Sequence, residues 1–386
     1  MNILYLGSFP TSELIAKSNG KIDSFYRDDQ AIIKGLRSID ENTIRVITIP
    51  DIGSYPANKI WIDGHYDAKD GAYSLPLLNI PLLKQIWTIL YLFIAAFQYI
   101  RKCKEPIAVF VPYIVFHHVI PAQLLKLCFK KRVKTVLVAP DIFFPTGIIN
   151  KFLKKHTEKI AKQSDMFILY TAAMADYLEI GNKPFVVIEG FKEFLPHKAK
   201  SVEGKFVIFY AGSLNVEYGL YRLVDAMEYI KSENIQLRLY GDGNAVSYIK
   251  RKASHDNRIK YEGRVSKKVA TEEMYHADVL VNPRNAEDGE YVAFSFPSKD
   301  IDYLGTGIPS VLCKLPGMPR EYYSYFIDAG SGSPREIAEA VNRVYEMKQT
   351  DRNAIGMKAK DFIEMRMDVR NQGLRICEMI NNYAKK

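Results

Sequence analysis

Short apolar runs that lead into helical patterns recur along the whole 386-residue chain. In the first half, residues 2–7 form such a run and end in glycine, a helical pattern follows over residues 24–38, and a β-branched run covers residues 43–49. The same order starts again at residue 206. Parallel strands need a crossover connection, usually a helix, so this alternation predicts parallel sheets covered by helices. We therefore predict an α/β fold.

A polar stretch over residues 193–204 separates the two halves. Because one hydrophobic core seldom serves a chain of this length, we expect two domains. We predict an N-terminal domain over residues 1–195 and a C-terminal domain over residues 205–365, each built on a doubly wound, Rossmann-like sheet. The remaining residues, 366–386, continue a helical period.

Residues 289–311 carry the strongest functional signal. They read as a turn-rich loop, a helix with Ser298 as its N-cap, a Gly-Thr-Gly stop and an apolar strand. Unpaired backbone N–H groups at the start of such a helix attract anions. Lys299 adds a positive charge there, and Asp302 follows one turn later, where a carboxylate can accept hydrogen bonds from sugar hydroxyls. The segment therefore predicts an anion site beside a site for hydroxyl groups.

Five motifs follow one another in the second half: F-Y-A-G-S-L, Y-G-D-G-N, Y-E-G-R-V, A-D-V-L-V-N-P and F-P-S-K-x-x-D-Y-L. In this order they resemble the nucleotide-binding domain of retaining glycosyltransferases of family 4. The resemblance implies the GT-B fold, in which two Rossmann-like domains face each other and the last helix crosses back to the first domain. Met365, Val369, Leu374 and Ile376 are the apolar contacts that we expect from this helix.

The same resemblance implies roles for individual residues of the second half. Backbone amides at Gly212 and Ser213 would approach a diphosphate, the turn at Arg264 and Val265 would approach the base, and Asp302 would bind the ribose. The other expected contacts to the donor are Gly241, Phe296, Pro297 and Ser298.

The chain departs from the family pattern at two expected cations. Ser213 stands where the family has an arginine, and Tyr218 stands where it has a lysine. The nearest replacements in sequence are Lys299, Arg264 and Arg284. We favour Lys299, because it lies in the first turn of the predicted helix, although a solvated lysine is the alternative.

Phe294 replaces the first acidic residue of the family motif. The loop before it is acidic, so Glu290 or Asp288 can swing in to bind the donor sugar. Alternatively, backbone amides of residues 295–298 hold the sugar, and the acidic loop is only solvated. We list Glu290 with Lys299 as the catalytic candidates.

Polar residues of the first half lie where predicted strands end, and ligands of doubly wound sheets bind at that edge. We expect Gly7, Asn19, His117 and Asp141 to contact the sugar or the acceptor. An ordinary surface loop around Asn19 and a structural role for His117 are the alternatives. There is no G-x-G-x-x-G motif, so a nicotinamide or flavin site is not supported.

Residues 82–100 are strongly apolar but are interrupted by Lys84 and Gln85, which leaves fewer than the roughly 20 residues that a spanning helix needs. We favour a core helix, with insertion of its apolar face into a membrane surface as the alternative. Basic residues between Lys130 and Lys162 include a helical segment whose apolar face we expect to consist of Ile149, Phe152, Leu153 and Ile160. This stretch predicts attraction to an anionic membrane surface, with a soluble surface helix as the alternative.

The net charge of +9 does not indicate a nucleic-acid partner, because aromatic residues are not interleaved with arginines. No cluster of histidines and cysteines is spaced for a metal, so we expect no metal and no cofactor beyond a nucleotide-sugar co-substrate. The four cysteines are expected to be buried free thiols. The chain starts directly in a strand pattern without a signal peptide, which predicts a cytoplasmic protein, peripheral on the inner face of the membrane.

Together these features predict a hexosyltransferase that uses a nucleotide-diphosphate sugar, with UDP favoured, and retains the anomeric configuration without a metal. The predicted acceptor is a growing cell-surface glycan or a lipid-linked glycan. Two alternatives remain open: a non-catalytic GT-B partner subunit, because of the missing acid and cations, and a sugar-nucleotide epimerase.

Overall fold

The computed structural model describes residues 1–9, 11, 24–39, 44–142, 147–191 and 204–384. The chain divides into two compact units. Unit 1 comprises Met1–Lys192 and Met367–Lys386, and unit 2 comprises Glu193–Arg366. These divisions lie close to the limits expected from the polar stretch and from the start of the terminal helix.

The strands alternate with helices in both units. They are β1 (Asn2–Gly7), β2 (Ile44–Thr48), β3 (Trp61–Ile62), β4 (His65–Asp67), β5 (Ala72–Ser74), β6 (Leu77–Leu78), β7 (Ile107–Pro112), β8 (Val133–Ala139), β9 (Met166–Leu169), β10 (Phe185–Val187), β11 (Phe206–Ser213), β12 (Ile235–Asp242), β13 (Ile259–Gly263), β14 (Val279–Asn282), β15 (Ser310–Leu312) and β16 (Ile327–Asp328).

The α-helices of the described residues are α1 (Ser24–Arg37), α2 (Leu83–Lys102), α3 (Phe116–Phe129), α4 (Ile148–Ala161), α5 (Ala173–Tyr177), α6 (Leu220–Asp225), α7 (Val246–Ala253), α8 (Lys267–Met274), α9 (Ser298–Leu304), α10 (Pro334–Glu346), α11 (Gln349–Met367) and α12 (Val369–Ala384). Short 3-10 turns cover Lys130–Arg132, Val216–Tyr218, Ala226–Tyr229, Glu290–Phe294 and Arg320–Ser324.

Unit 1 is built on an eight-stranded sheet with the order β10-β9-β8-β7-β1-β2-β5-β4. Neighbouring strands are parallel except β4 and β5. Strands β3 and β6 form a separate antiparallel pair. The central strands are continuous apolar runs because helices cover both of their faces. The predicted α/β fold is confirmed for this unit.

Helices α1 and α12 pack against each other and share one core cluster with the strands of unit 1. Their backbones touch at Gly35 and Gly373. A Cβ atom on Gly373 would lie 2.6 Å from the carbonyl oxygen of Gly35, and a Cβ atom on Gly35 would overlap the carbonyl oxygen of Val369. The predicted return of the terminal helix to the first domain is confirmed.

The contacts that we predicted for the terminal helix are only partly right. Ile376 lies in the core cluster, but Met365 and Leu374 are exposed. The helix is broken at Asp368, between α11 and α12. A single helical period extended across this break therefore assigns the wrong face.

Helices α2, α3 and α4 pack side by side, with α3 in the middle, and the core cluster on the α1 side holds no residue from them. Among the described helices, only α2 is long and apolar enough to cross a membrane. However, only 22% of its most apolar 18-residue stretch is buried in the protein. Its buried residues form one stripe, which consists of Thr88, Leu92, Ala96 and Ile100. The prediction of a core helix is therefore wrong for its outer face.

Unit 2 is a six-stranded parallel sheet with the order β13-β12-β11-β14-β15-β16. Two of its helices have serine N-caps. The hydroxyl oxygens of Ser266 and Ser333 accept hydrogen bonds from the backbone N–H groups of Val269 and Glu336, each at 3.3 Å.

The cysteines are free thiols in the structure, but they are not all buried. Cys313 and Cys377 are buried, Cys103 is half-buried and Cys128 is exposed near the end of α3. The expectation of burial is therefore wrong for Cys128.

Candidate functional site

The strand order of unit 2 reverses beside β11. Strands β12 and β13 lie on one side of it, and β14, β15 and β16 lie on the other. Ligands of such sheets bind beyond the carboxyl ends of the strands at this reversal. The carboxyl end of β11 is Ala211-Gly212-Ser213, so the topology selects the segment that the sequence analysis had selected by motif.

Gly212 and Gly241 lie opposite each other at the ends of β11 and β12. Their φ angles are 142° and 137°, in a region that residues other than glycine rarely adopt. A Cβ atom on Gly241 would overlap the carbonyl oxygen of Gly212. Because neither glycine has a side chain, this edge stays open. Both Gly212 and the next residue, Ser213, are exposed.

Helix α9 is held against the end of β11 by two side chains. The hydroxyl of Tyr303 accepts a hydrogen bond from the N–H group of Ala211 at 3.2 Å, and Lys299 Nζ donates to the carbonyl oxygen of Ala211. The ammonium group also lies 4.1 Å from the centroid of the Tyr210 ring. Lys299 is therefore fixed beside Gly212.

The helix begins one residue earlier than we predicted. Pro297 is the N-cap, no side chain caps the helix, and Ser298 is the first helical residue. The prediction of Ser298 as N-cap is wrong, because Ser298 already has helical geometry. Ser298 is nevertheless exposed, so the start of α9 is accessible to solvent.

Three residues form the open face of α9. Asp302 lies three residues after Lys299 and four after Ser298, a spacing that brings side chains together on a helix. All three are at least partly exposed, whereas the rest of the helix faces the protein: Asp300, Ile301, Tyr303 and Leu304 are buried. The structure thus brings together the three residues of α9 that the sequence analysis selected.

Asp300 and Asp302 form a D-x-D triplet in sequence but lie on different faces of α9. Asp300 accepts a hydrogen bond from Asn282 Nδ2 of β14 at 2.6 Å, and its burial raises the pKa of its carboxyl group to about 6. Arg284 and Lys299 partly offset this rise. Asp300 therefore anchors the helix to the sheet, and the two carboxylates do not form a common metal site.

Burial lowers the pKa of Lys299 to about 8, and the nearby Asp300 offsets only part of this effect. Loss of water disfavours the charged form of a lysine. An incoming anion would restore the charge, since a negative neighbour favours the ammonium form. Lys299 is therefore suited to bind an anionic group.

Arg284 follows β14, the strand next to β11, and its guanidinium group lies near two tyrosines. Its carbon Cζ is 4.7 Å from the centroid of Tyr291 and 5.9 Å from that of Tyr218. Tyr218 occupies the position at which the resemblance expects a lysine. Arg284 thus brings a positive charge to this position from another strand, a contact that sequence order does not reveal.

The acidic loop before α9 is more fixed than we predicted. Arg222 of α6, which we did not select, donates to both carboxylate oxygens of Asp288, at 2.7 and 2.9 Å. The N–H group of Asn285 also donates to Asp288, at 2.8 Å. The idea that Asp288 swings in toward a ligand is therefore wrong, and Glu290, which is exposed, is the remaining acid of this pair.

The other selected residues of unit 2 differ in exposure. Arg264 is exposed and Val265 is half-buried, directly after β13. Phe296 and Pro297 are buried, and the Phe296 ring packs edge-on against Tyr322 at 4.9 Å. Phe296 and Pro297 therefore shape the entry to α9 from within the core.

In unit 1 the strand order reverses between β1 and β7. Gly7 ends β1 and is buried against Pro112. His118 Nδ1 lies 3.0 Å from the carbonyl oxygen of Pro112 and must donate to it, so Nε2 accepts from Ser8 Oγ at 3.1 Å. Burial lowers the pKa of His118 to about 3, so this histidine is neutral and structural.

A cavity of about 590 Å³ opens at the carboxyl ends of β7 and β8. His117, Asp141, Leu153 and Glu158 are among the residues that line it. Burial lowers the pKa of His117, and within the described part of the chain its Nδ1 atom has no hydrogen-bond partner. The structure thus brings His117 and Asp141 together at one cavity, and Gly7 does not line this cavity. Asn19 lies outside the described residues.

Sequence reasoning missed a buried carboxyl group near this edge. Asp29 of α1 accepts a hydrogen bond from the Tyr113 hydroxyl at 2.7 Å, and burial raises the pKa of Asp29 to about 7. Tyr113 follows β7 and also lines the cavity. An aspartate within a helical pattern gave no signal of this contact, because Tyr113 lies 84 residues away in sequence.

Residues 191–362 match the family model for glycosyl transferases group 1. No curated protein matches the sequence. Among solved structures, the chain is similar to Alr3699/HepE of Anabaena in complex with UDP, with 15% identity and a TM-score of 0.64 over 99% of this chain and 100% of that one.

Two further structures show the same similarity. The lipopolysaccharide outer core galactosyltransferase WaaB in its apo form has 16% identity and a TM-score of 0.63, with 99% of each chain covered. A trehalose-6-phosphate structure from E. coli bound with UDP-2-fluoro glucose has 11% identity and a TM-score of 0.62 over 100% of this chain and 99% of that one. The shared fold is GT-B, which confirms the predicted pair of Rossmann-like domains.

Proposed function

We propose that the chain, whose residues 191–362 match the family model for glycosyl transferases group 1, transfers a hexose from a UDP-sugar to a growing cell-surface glycan, with retention and without a metal. The observation that carries this proposal is the open face of α9, where Ser298, Lys299 and Asp302 lie beside the exposed edge at Gly212. This face offers a cation for a diphosphate and a carboxylate for hydroxyl groups.

In the proposed reaction, the bond between the anomeric carbon and the diphosphate oxygen breaks, and a bond to the acceptor oxygen forms on the same face of the sugar. The acceptor proton passes to the departing phosphate. Negative charge grows on the diphosphate as it leaves, and fixed positive groups that meet this charge lower the barrier. Lys299 supplies one such group, and Arg284 supplies a second from the neighbouring strand.

Asp302 is proposed to hold the ribose of the donor, because a carboxylate can accept hydrogen bonds from two hydroxyl groups. Glu290 is proposed to bind the transferred sugar, since Asp288 is held by Arg222. UDP is favoured as the nucleotide because Alr3699/HepE and the E. coli structure were each solved with a uridine diphosphate compound.

The acceptor is proposed to bind unit 1, in the cavity lined by His117 and Asp141. Its lining also includes Ile114, Phe116 and Leu153, so it presents apolar as well as polar side chains. Pockets of this kind bind ligands that have both an apolar part and a few polar groups. A lipid-linked glycan fits that description.

The pKa of Lys299 gives a pH dependence with a definite sign. We expect kcat/KM for the donor to fall as pH rises through about 8, because the free protein then loses the ammonium group. We expect kcat to hold to higher pH, since the bound diphosphate raises the pKa of the lysine. Initial rates measured across this range test both statements.

The variant Lys299→Arg is the matched control for this profile, because arginine stays charged throughout the range. If it retains activity, its kcat/KM should no longer fall near pH 8. A wild-type profile that is flat across this range would contradict the assignment of Lys299.

A donor screen tests the proposed function. Thermal shift and calorimetry with UDP- and GDP-sugars should identify a UDP-sugar that binds, and hydrolysis or transfer should follow with the same donor. Binding without any turnover would favour a non-catalytic partner subunit. The replacement of the first acidic residue of the family motif by Phe294 supports this alternative. Isomerisation of the sugar without transfer to any acceptor would favour an epimerase.

A further inference from the structure

The three helices α2, α3 and α4 present apolar side chains to solvent over one continuous layer of unit 1. On α2 the exposed residues recur at helical spacing along the outer face: Leu83, Ile86, Leu90 and Ile94. On α3 and α4 they include Leu127, with 72% of its surface exposed, and Ile148, with 88%. Large exposed apolar patches mark interaction surfaces, because their exposure to water is unfavourable. We call the exposed surface of α2, α3, α4 and the 3-10 turn after α3 the outer layer.

Helix α4 exposes part of the apolar face that its sequence predicts. Phe152 and Leu153 are exposed, whereas Ile160 is half-buried. The side that faces the protein instead carries Thr157, Ala161 and the ion pair between Lys154 and Glu158, at 3.3 Å. A helix that exposes apolar residues while its polar residues face the protein can bind an apolar surface outside the protein.

The outer layer is strongly basic as well as apolar. The only acidic residue in α2, α3, α4 and the 3-10 turn after α3 is Glu158, which pairs with Lys154. The exposed basic residues of these elements are Arg101, Lys102, Lys130, Lys131, Lys151, Lys155 and Lys159. Positive charge around an apolar surface is complementary to anionic headgroups above acyl chains.

Some residues of the basic stretch that we predicted serve the fold instead. Arg132 donates to the carbonyl oxygens of Ile100 and Cys103, Lys134 lies over the Tyr383 ring at 5.2 Å, and Lys162 pairs with Glu179 at 2.7 Å. The surface charge therefore comes from fewer residues than the sequence suggested.

An exposed tryptophan borders the same layer. Trp61 of β3 packs edge-on against Trp87 of α2, with ring centroids 5.6 Å apart, and 44% of its surface is exposed. Tryptophan is enriched at the boundary between headgroups and acyl chains, because its ring has both apolar and polar parts.

We propose that the outer layer docks on an anionic phospholipid bilayer, with α2, α3 and α4 lying along the membrane surface. The positive charge of the layer favours an anionic bilayer over a second copy of the chain, since two copies would bring like charges together. Because α2 contacts the sheet and α3 through its other faces, it rests on the membrane and does not cross it. The proposal concerns unit 1 and does not depend on which sugar is transferred.

Vesicle co-sedimentation of the full chain tests the proposal. We expect binding to phosphatidylcholine vesicles that contain phosphatidylglycerol, little binding to phosphatidylcholine alone, and weaker binding as salt increases. The double variant Ile86→Ser/Leu90→Ser should lower the partition coefficient about tenfold. The triple variant Lys151→Ala/Lys155→Ala/Lys159→Ala should lower it by a factor of about ten or more at low salt.

Matched controls use exposed residues of unit 2. The control Val269→Ser/Met357→Ser replaces exposed apolar residues by serine, and Lys260→Ala/Lys268→Ala/Lys348→Ala replaces exposed lysines by alanine. None of these residues belongs to the outer layer, so vesicle binding should be unchanged. Circular dichroism melts and UDP binding should show that all variants remain folded.

Three results would overturn the proposal. The first is that the wild-type chain does not bind anionic vesicles. The second is that the outer-layer variants bind them as well as their unit 2 controls do. The third is a stable dimer in solution that the outer-layer variants abolish, because a second copy would then cover this surface.

Discussion

Replacing Lys299 by alanine is expected to lower turnover about 100- to 1,000-fold, while the dissociation constant of the UDP-sugar changes less than about tenfold. The reason is that charge on the diphosphate is greatest as the bond to the sugar breaks. A cation that is already fixed by Ala211 and Tyr210 meets this charge without reorganisation. Its loss therefore affects the transition state more than the bound donor.

The control for this experiment is Lys268→Ala. Lys268 is the second residue of α8, as Lys299 is of α9, but it is exposed and should be silent. Steady-state kinetics together with calorimetry of donor binding separate the two effects. Equal losses in binding and turnover would show that Lys299 only binds the donor, and unchanged kinetics would remove it from the site.

Replacing Asp302 by alanine is expected to raise the dissociation constant of UDP about 10- to 100-fold, because hydrogen bonds to a charged group contribute about 1.5–3 kcal/mol. If Asp302 binds the ribose, it does so equally before and during the reaction. The turnover at saturating donor should therefore change little. Calorimetry with UDP and rate measurements at saturating donor test the two halves of this statement.

Two further variants sharpen the result for Asp302. Asp302→Asn keeps the shape and loses the charge, so it should show a smaller defect than alanine. Asp361→Ala removes an exposed aspartate from α11 and should leave UDP binding unchanged. If UDP binds Asp302→Ala as tightly as wild type, the ribose is held elsewhere.

The sequence predicted the architecture well because the information that determines it is local. Apolar runs of strand length such as residues 107–112 and the polar break near residue 193 are visible in short windows. The open face of α9 was also predictable, since the spacing of Ser298, Lys299 and Asp302 determines that they share one side of a helix.

The contacts that sequence reasoning missed join residues far apart in the chain. Arg222 and Asp288 are 66 residues apart, and only the parallel sheet brings them together. Arg284 reaches the ring of Tyr218 for the same reason, because β14 lies beside β11. No local pattern distinguishes an arginine that holds a loop from one that is solvated.

The apolar helices of unit 1 show a different limit. Hydrophobic periodicity identifies the apolar face of a helix, but it does not say what covers that face. The sequence assigned Phe152 and Leu153 to one apolar face of α4, and the structure exposes both. The amphipathic pattern alone therefore did not show that the protein leaves these residues uncovered.

A crystal structure of the chain with bound UDP would show where the diphosphate lies. We expect diphosphate oxygens within hydrogen-bond distance of Lys299 Nζ, beside the Gly212 edge, and ribose hydroxyls on Asp302. A nucleotide bound away from α9 would show that Lys299 and Asp302 do not form the donor site.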